Sequence, residues 1–340
     1  MDDRYSRQIL FSKIGREGQG RLKNKHVLLV GAGALGSANA EMLVRAGVGE
    51  ISIVDRDYVE ESNLQRQQLY TEQDVLNRLP KAEAARKHLL EINREAKITP
   101  YIMDGDAVSL ESLVKSVDLI IDATDNFETR MILNDLSQKW EVPWIYGACV
   151  GSVGMTFTII PGVTPCLHCM LNTIPVQGMT CDTGGIIGPA VQMVVAHQTS
   201  EALKLLVGDI ESVRNTFVSF DLWNNHFHHV KVSKVKKASC LSCGEHPEYP
   251  FLKGENTTKT TILCGRETIQ IRPPQSLHLD LQKLKESALQ MGARAKANPF
   301  LVSIEFENHQ RMVVFPDGRA LIHGTKNMVH AKALYQKMMG

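Results

Sequence analysis

The stretch from His26 to Asp55 leaves this chain fewer folds to choose from than any other part of it. HVLLV reads as an apolar strand, Gly31-Ala32-Gly33-Ala34-Leu35-Gly36 as a glycine-rich turn, and SANAEMLVRAGVG as a helical run. EISIVDRD is then a second apolar strand that ends on an acid, which completes one βαβ unit. Gly31 permits the tight turn, Gly33 lets the backbone approach a phosphate, and Gly36 lets the helix pack near the strand. The helix N-terminus presents free N–H groups and the positive end of its dipole to that phosphate. Asp55, at the carboxyl end of the second strand, is placed to accept hydrogen bonds from a ribose hydroxyl. The motif alone does not choose a nucleotide chemistry, because dehydrogenases and adenylating enzymes both use it.

A chain of 340 residues is long enough for one large domain and a smaller one. The formal net charge of +1 implies no basic face, which makes nucleic acid a poor candidate partner. MDDRYSRQILF lacks the cationic, apolar and small-residue succession of a signal peptide. No apolar run approaches the ~20 residues of a membrane span, so a cytoplasmic location is expected. The seven cysteines are then poor candidates for structural disulfides.

From Lys81 to Gly151 the pattern alternates helix and strand: a helix from Lys81, strands at Ile98–Met103, Val117–Thr124 and Pro143–Val150, and a helix near Thr129–Trp140. This predicts an α/β fold, a doubly wound Rossmann-like, mainly parallel sheet. Residues 1–25 read as a helical arm and 55–70 as a polar loop. After Gly151 come strands at Met155–Ile160, Thr216–Leu222 and Phe227–Val232, broken by one helix near Pro189–Val207, which predicts an antiparallel extension of the same sheet. The expected division is 1–252 for the large domain, a polar linker at 253–261, and a small α+β domain at 262–340. In the latter a strand at Ile262–Ile271, a helix at Leu279–Met291, a hairpin at Leu301–Phe315 and a closing helix at Lys326–Met338 are expected. It carries no constellation that can be assigned to chemistry.

Several polar residues fall at the carboxyl ends of the predicted parallel strands, where ligands of such sheets bind. Asp55, Asn63, Arg66 and Gln67 follow the second strand, Lys81 opens the next helix, and Asp122, Asp125 and Asn126 follow VDLIIDAT. Hydride transfer has no evident use for Arg66 and Lys81 beside phosphates, whereas cleavage of a triphosphate does. Asp125 suits Mg²⁺, a hard cation that prefers carboxylate oxygen and water. Taken singly, Arg66 and Lys81 also read as solvated surface charges.

Cys166-Leu-His-Cys169 and Cys240-Leu-Ser-Cys243 suit a tetrahedral site of four thiolates. Such a site leaves no open coordination position and is structural, pinning the Pro165 loop to the Ala238–Gly244 loop. His168 reads as a bystander, and His226, His228 and His229 as strand decoration, since neighbours on a strand point to opposite faces. Cys149 and Cys264 read as core residues. Cys181, in MTCDTGG, sits in a polar loop where a thiol can be exposed and reactive, so covalent chemistry is open to it.

RYSRQ, GAGALG, DRDYVEESNLQRQ, LPKAEAA, DATDNFETR, two CxxC pairs and TCDTGG together resemble the ThiF/MoeB/HesA family of sulfur-carrier-activating enzymes, relatives of the ubiquitin-activating enzymes. The likeness is greatest to the Bacillus-type ThiF branch of thiamin thiazole biosynthesis. It runs from Arg4 to about Pro247. The resemblance implies an ATP-dependent adenylyltransferase. The C-terminal glycine carboxylate of a ubiquitin-like sulfur carrier, ThiS-like or MoaD-like, attacks the α-phosphate of ATP and releases pyrophosphate. By position in the shared motifs, Gly33 and Ala34 lie against the phosphates and Asp55 holds the ribose. Asn63, Arg66 and Lys81 contact the triphosphate, Ser62 to Arg66 line the nucleotide, and Asp125 binds Mg²⁺. Gly31, Gly36, Asp57 and Asn126 complete the expected nucleotide set. Arg7 matches an arginine that such enzymes contribute to the neighbouring subunit's site, which implies a homodimer. Cys166, Cys169, Cys240 and Cys243 match the zinc ligands. Cys181 matches a cysteine linked to the carrier during sulfur transfer in ThiF-type relatives and dispensable in MoeB-type ones, and a cysteine desulfurase is an expected sulfur donor. The small C-terminal domain lacks the Cys-containing active-site loop of the rhodanese-like domain that some long members carry. Docking, regulation and support of a dimer stay open for it.

Two other readings stand at this point. An NAD-dependent oxidoreductase is supported by the βαβ unit alone and leaves Arg66, Lys81 and the four cysteines without a purpose. A non-catalytic scaffold has no need to keep Arg66, Lys81 and Asp125 together.

Overall fold

The computed structural model describes residues 3–171, 184–253, 260–262, 267–273, 277–306 and 310–339. The chain divides into two units, 1–255 and 256–340. Cys181 and Cys264 lie outside the described residues.

The N-terminal arm is two helices, α1 (Ser6–Leu10) and α2 (Gly15–Lys23), with a break before Gly15, which adopts φ +58°. Strand β1 (His26–Val30) follows, and α3 (Ala34–Ala46) opens directly on Gly33 and stops at Gly47, whose φ of +92° is the left-handed conformation that ends helices. Next come β2 (Glu50–Val54), α4 (Glu72–Leu76), α5 (Lys81–Ile92), β3 (Lys97–Tyr101), α6 (Ala107–Val114), β4 (Leu119–Asp122), α7 (Phe127–Trp140) and β5 (Trp144–Val150). The antiparallel part contains β6 (Val153–Ile159), α8 (Leu167–Met170), α9 (Gly188–Val207), β7 (Thr216–Asp221) and β8 (His226–Lys231).

These eight strands form one sheet in the order β3-β2-β1-β4-β5-β6-β7-β8, parallel through β5 and antiparallel beyond it. The continuous apolar runs of β1 and β4 follow from their central position, because helices cover both faces. One core gathers Leu29, Leu43, Ile51, Leu89 and Leu206, and a second gathers Leu28, Leu110, Leu133, Trp144 and Phe157. The strand order reverses between β1 and β4, and ligands of such sheets bind in the crevice at that switch point. All six residues of β8, the three histidines included, are exposed on the sheet's edge.

The second unit is a six-stranded antiparallel sheet in the order β11-β12-β13-β14-β10-β9. Its elements are β9 (Thr260–Ile262), β10 (Thr268–Ile271), α10 (Leu281–Gln290), β11 (Arg294–Ala297), β12 (Val302–Glu305), β13 (Arg311–Val314), β14 (Ala320–His323) and α11 (Met328–Met339). Its apolar core includes Ile269, Ala288, Ile304, Met312, Ile322 and Ala331. The sequence reading expected one strand over Ile262–Ile271, but two form, paired antiparallel as Ile269 with Ile262 and Ile271 with Thr260. Thr260 and Thr261, expected in the linker, therefore belong to the sheet. No helix among the described residues is long and apolar enough to cross a membrane.

Candidate functional site

The glycine turn is built against the end of β4. Gly31 has φ +95°, and a side-chain carbon added to it would stand 2.3 Å from the Ala123 carbonyl oxygen. At Gly36 that carbon would stand 1.9 Å from the Gly31 carbonyl, so backbone packs on backbone there. Gly33 differs, because its added carbon would meet only the Gln67 amide at 3.8 Å. Among the described residues no side chain or backbone fills the position a side chain would take at Gly33, which leaves space for a ligand at the start of α3.

Asp55 ties this turn to β2. Its carboxylate accepts the Ala32 N–H at 2.6 Å and the Asp57 N–H at 2.7 Å, and each oxygen keeps a second lone pair. Burial raises the Asp55 pKa, the Lys81 charge offsets only part of this, and Asp57 adds to the rise. The Tyr70 hydroxyl donates to the Ala32 carbonyl at 2.6 Å and lies 3.2 Å from the Lys81 carbonyl, so the turn and the start of α5 share one anchor. Burial, with Asp55 and Asp74 nearby, pushes the Tyr70 phenol well above its ordinary range.

Lys81 is buried, with Nζ 3.3 Å from Asp57 Oδ2, and its backbone N–H donates to the Asp57 carbonyl at 2.9 Å. Lys81, which taken singly also read as a surface charge, is thus an interior cation beside Asp57. Asn63 is fully buried, and its side-chain oxygen accepts the Glu60 N–H at 3.0 Å. The Asn63 amide nitrogen and the Gln67 side-chain oxygen are buried without a hydrogen-bond partner, the state of groups awaiting a polar ligand. Arg66 is half-buried and donates to the Ser62 carbonyl at 2.8 Å, while Ser62 itself is exposed.

On the β4 side, Asp122 accepts the Thr124 N–H at 2.9 Å and hydroxyl at 2.7 Å. Arg130 reaches back from α7 to Asp122 at 3.0 Å and to the Thr124 carbonyl at 2.7 Å. This brace shapes the turn that presents Asp125 to solvent. Asn126 caps α7, its side-chain oxygen accepting the Thr129 N–H at 2.8 Å, and its amide nitrogen is left for a ligand. The sequence reading did not single out Arg56, Tyr70, Asp104 or Arg130; the pairs Arg56–Asp104 and Tyr70–Ala32 join residues 48 and 38 positions apart. Arg7 lies exposed on α1, beside exposed Leu10 and Phe11.

Away from the crevice, the sulfurs of Cys166, Cys169, Cys240 and Cys243 lie within 4.8 Å of one another. Cys166 to Cys240 measures 3.7 Å and Cys169 to Cys243 3.5 Å. Tetrahedral zinc with ~2.3 Å bonds to sulfur requires sulfurs ~3.8 Å apart, so both spacing and donor set fit that metal. The cluster is bound to α7, whose Asn134 accepts the Leu167 N–H at 2.7 Å and whose Asp135 accepts the Phe251 N–H at 2.9 Å.

Comparison with known proteins agrees with this geometry. The family model of the ThiF family matches residues 5–242. A sulfur carrier protein ThiS adenylyltransferase of Bacillus subtilis is 51% identical over 340 residues, all of both chains. A SAMP-activating enzyme E1 of Haloferax volcanii is 36% identical over 72% of this chain and 89% of its own. The crystal structure of E. coli MccB with MccA-N7isoASN superposes with a TM-score of 0.64 over 72% of this chain and 76% of its own, and at 23% identity it attests the fold. The mainly parallel sheet, the glycine turn at its switch point and the match over most of the chain place this protein in the ThiF family of adenylyltransferases.

Proposed function

We propose that this enzyme uses ATP to adenylate the C-terminal glycine carboxylate of a ubiquitin-like, ThiS-like sulfur carrier, in service of thiamin thiazole biosynthesis. The observation that carries the reading is the buried Lys81 at the crevice, beside the open space at Gly33 and the unpartnered amide groups of Asn63 and Gln67. The full-length likeness to the B. subtilis ThiS adenylyltransferase supports the choice of carrier.

In this reading the carrier carboxylate attacks the α-phosphorus of ATP. The bond to the bridging oxygen breaks, and pyrophosphate leaves with that electron pair. The α3 N-terminus, beginning at Gly33 and Ala34, and the cations Lys81 and Arg66 lie where negative charge develops. Asp55 offers its free lone pairs to ribose hydroxyls, while Ser62, Asn63 and the Asn126 amide line the nucleotide. Asp125, an exposed carboxylate, is the residue suited to Mg²⁺, which when bound neutralises charge on the phosphates. Arg7 completes the neighbouring site of a homodimer, a role its exposure beside Leu10 and Phe11 supports. Zinc at the four cysteines is structural. Cys181 serves the sulfur-transfer step that follows adenylation, with a cysteine desulfurase as donor, and is not needed for adenylation itself. A Cys181→Ala protein that lost adenylate formation would overturn that assignment.

The test is carrier-dependent exchange of labelled pyrophosphate into ATP, with ThiS-like and MoaD-like carriers side by side. Exchange with the ThiS-like carrier alone is expected. Exchange with the MoaD-like carrier alone would assign the molybdopterin pathway. Exchange with neither, in protein replete with Zn²⁺ and Mg²⁺, would overturn the enzymatic reading.

A further inference from the structure

Arg56, between the two acids at the end of β2, has no part in the reaction described so far. Its Nη1 lies 3.2 Å from Asp104 Oδ1, in the segment that follows β3, and its Nε lies 3.9 Å from Asp57 Oδ1. All three side chains are largely withdrawn from solvent, at 17%, 11% and 16% exposure. Asp57 is the same carboxylate whose other oxygen pairs with Lys81 at 3.3 Å. Its backbone is fixed at both ends, the N–H on Asp55 and the carbonyl on Lys81, so the carboxylate has little freedom to follow a departing partner.

When a triphosphate arrives, Lys81 is drawn from Asp57 toward it, and a half-buried carboxylate would lose its cation. An unpaired buried charge is costly, so without a second cation Asp57 would hold Lys81 back. We infer that Arg56 is a positioning residue: it stays on Asp57, anchored by Asp104, and so frees Lys81 to turn to the nucleotide's phosphates. Burial works against the Arg56 charge, but Asp104, Asp57, Asp125 and Asp55 together raise its pKa, so the cation is permanent. The inference rests on the assignment of Lys81 to the phosphates.

The experiment measures the Kd of MgATP by calorimetry, together with KM and kcat of carrier adenylation, on the full-length, zinc-replete protein. Arg56→Gln is expected to weaken MgATP binding about tenfold with kcat changed less than about threefold, as loss of ground-state binding does. Arg56→Lys is expected to restore affinity to within about threefold of the parent, because the charge is kept. The decisive comparison is with Asp57→Asn, which removes the competitor for Lys81. In that background Arg56→Gln is expected to change affinity less than about twofold, as a shared pathway requires. A tenfold loss persisting in that background would show that Arg56 merely braces the loop, and would overturn the inference. Unchanged binding in Arg56→Gln alone would overturn it too. Should Arg56→Gln fail to fold, Arg56→Lys and the double variant still decide: a double variant matching Asp57→Asn supports the coupling, and a weaker binder refutes it. Lys81→Met separates the two readings: if it binds MgATP as the parent does, the phosphate assignment falls, whereas if only Lys81→Met weakens binding, Arg56 alone is refuted.

Discussion

Gly33 and Gly36 stand three residues apart and are glycine for different reasons, Gly36 facing backbone and Gly33 facing open space. Gly36→Ala is expected to abolish stable folding, because the new carbon would overlap the Gly31 carbonyl. Gly33→Ala, with φ −75°, is expected to keep its melting temperature while MgATP affinity falls by about tenfold or more, since the methyl fills the ligand's space. Thermal melting and calorimetry on the pair separate the two roles. The Asp122–Arg130 pair is a third case, with Asp122 fully buried. Asp122→Ala leaves the largely buried guanidinium without its carboxylate partner, and a loss of about 3–5 kcal/mol of stability is expected in chemical denaturation. Gly31 and Gly36 were legible because a tight turn and a close approach are local demands on the backbone. Arg56 was not, because its meaning lies in Asp104, 48 residues on, which β3 brings alongside. The burial of Lys81 was not legible, since a lysine in a helical pattern, taken singly, reads first as a solvated surface charge.

Among elements, those with a strong period or a continuous apolar run were readable, the short β12–β13 hairpin included, and several short ones were not. The eight-residue α6 opens with Asp106 accepting the Ser109 N–H, a cap signal too brief to stand out beside the long helices. Strand β11, RAKA, alternates charge with alanine and lacks the branched or aromatic residues that announce strands. α8 follows directly on Cys166 and carries Cys169, so metal removal is expected to act locally first. Cys240→Ser is expected to lower the melting temperature by ~10 °C while carrier adenylation persists at low temperature, as a closed structural site predicts. Between β7 and β8, Asp221 accepts from the Ser152 hydroxyl at 2.6 Å and from the Asn224 side chain at 2.8 Å, which lowers its pKa to about 2. A carboxyl lowered from 3.8 stabilises the fold above that value and loses the contribution as pH falls toward 2. The stability difference between the parent and Asp221→Asn is therefore expected to be full at neutral pH and to shrink below pH ~4, as denaturation at a series of pH values would reveal.

At the scale of the molecule, the sequence order βαβ and the alternation behind it were enough to place a ligand crevice, because handedness and short connections leave a parallel sheet few topologies. The antiparallel strands beyond β5 were readable from the loss of intervening helices. The position of the small sheet's first strand was not, because a polar run such as TT reads as linker until its pairing partner is known. The proposed site shared across a two-fold axis has its own test. Co-expressed Arg7→Ala and Lys81→Ala subunits, each inactive alone, are expected to regain up to about a quarter of parental activity, since half the dimers would carry one intact site. No recovery would place Arg7 outside the neighbouring site.

The four gathered sulfurs carry a consequence for the chain's chemistry in air. Cys166 and Cys240, and Cys169 and Cys243, come from segments 74 residues apart, yet the fold brings each pair within 3.7 Å. Stripped of zinc, the same geometry sets two cross-links within reach of mild oxidation, since a thiolate needs only a nearby sulfur and an electron acceptor to form a disulfide. A zinc ion that fastens these loops would thus also be their protecting group, and storage of the enzyme with a chelator would trade a reversible bond for a covalent one.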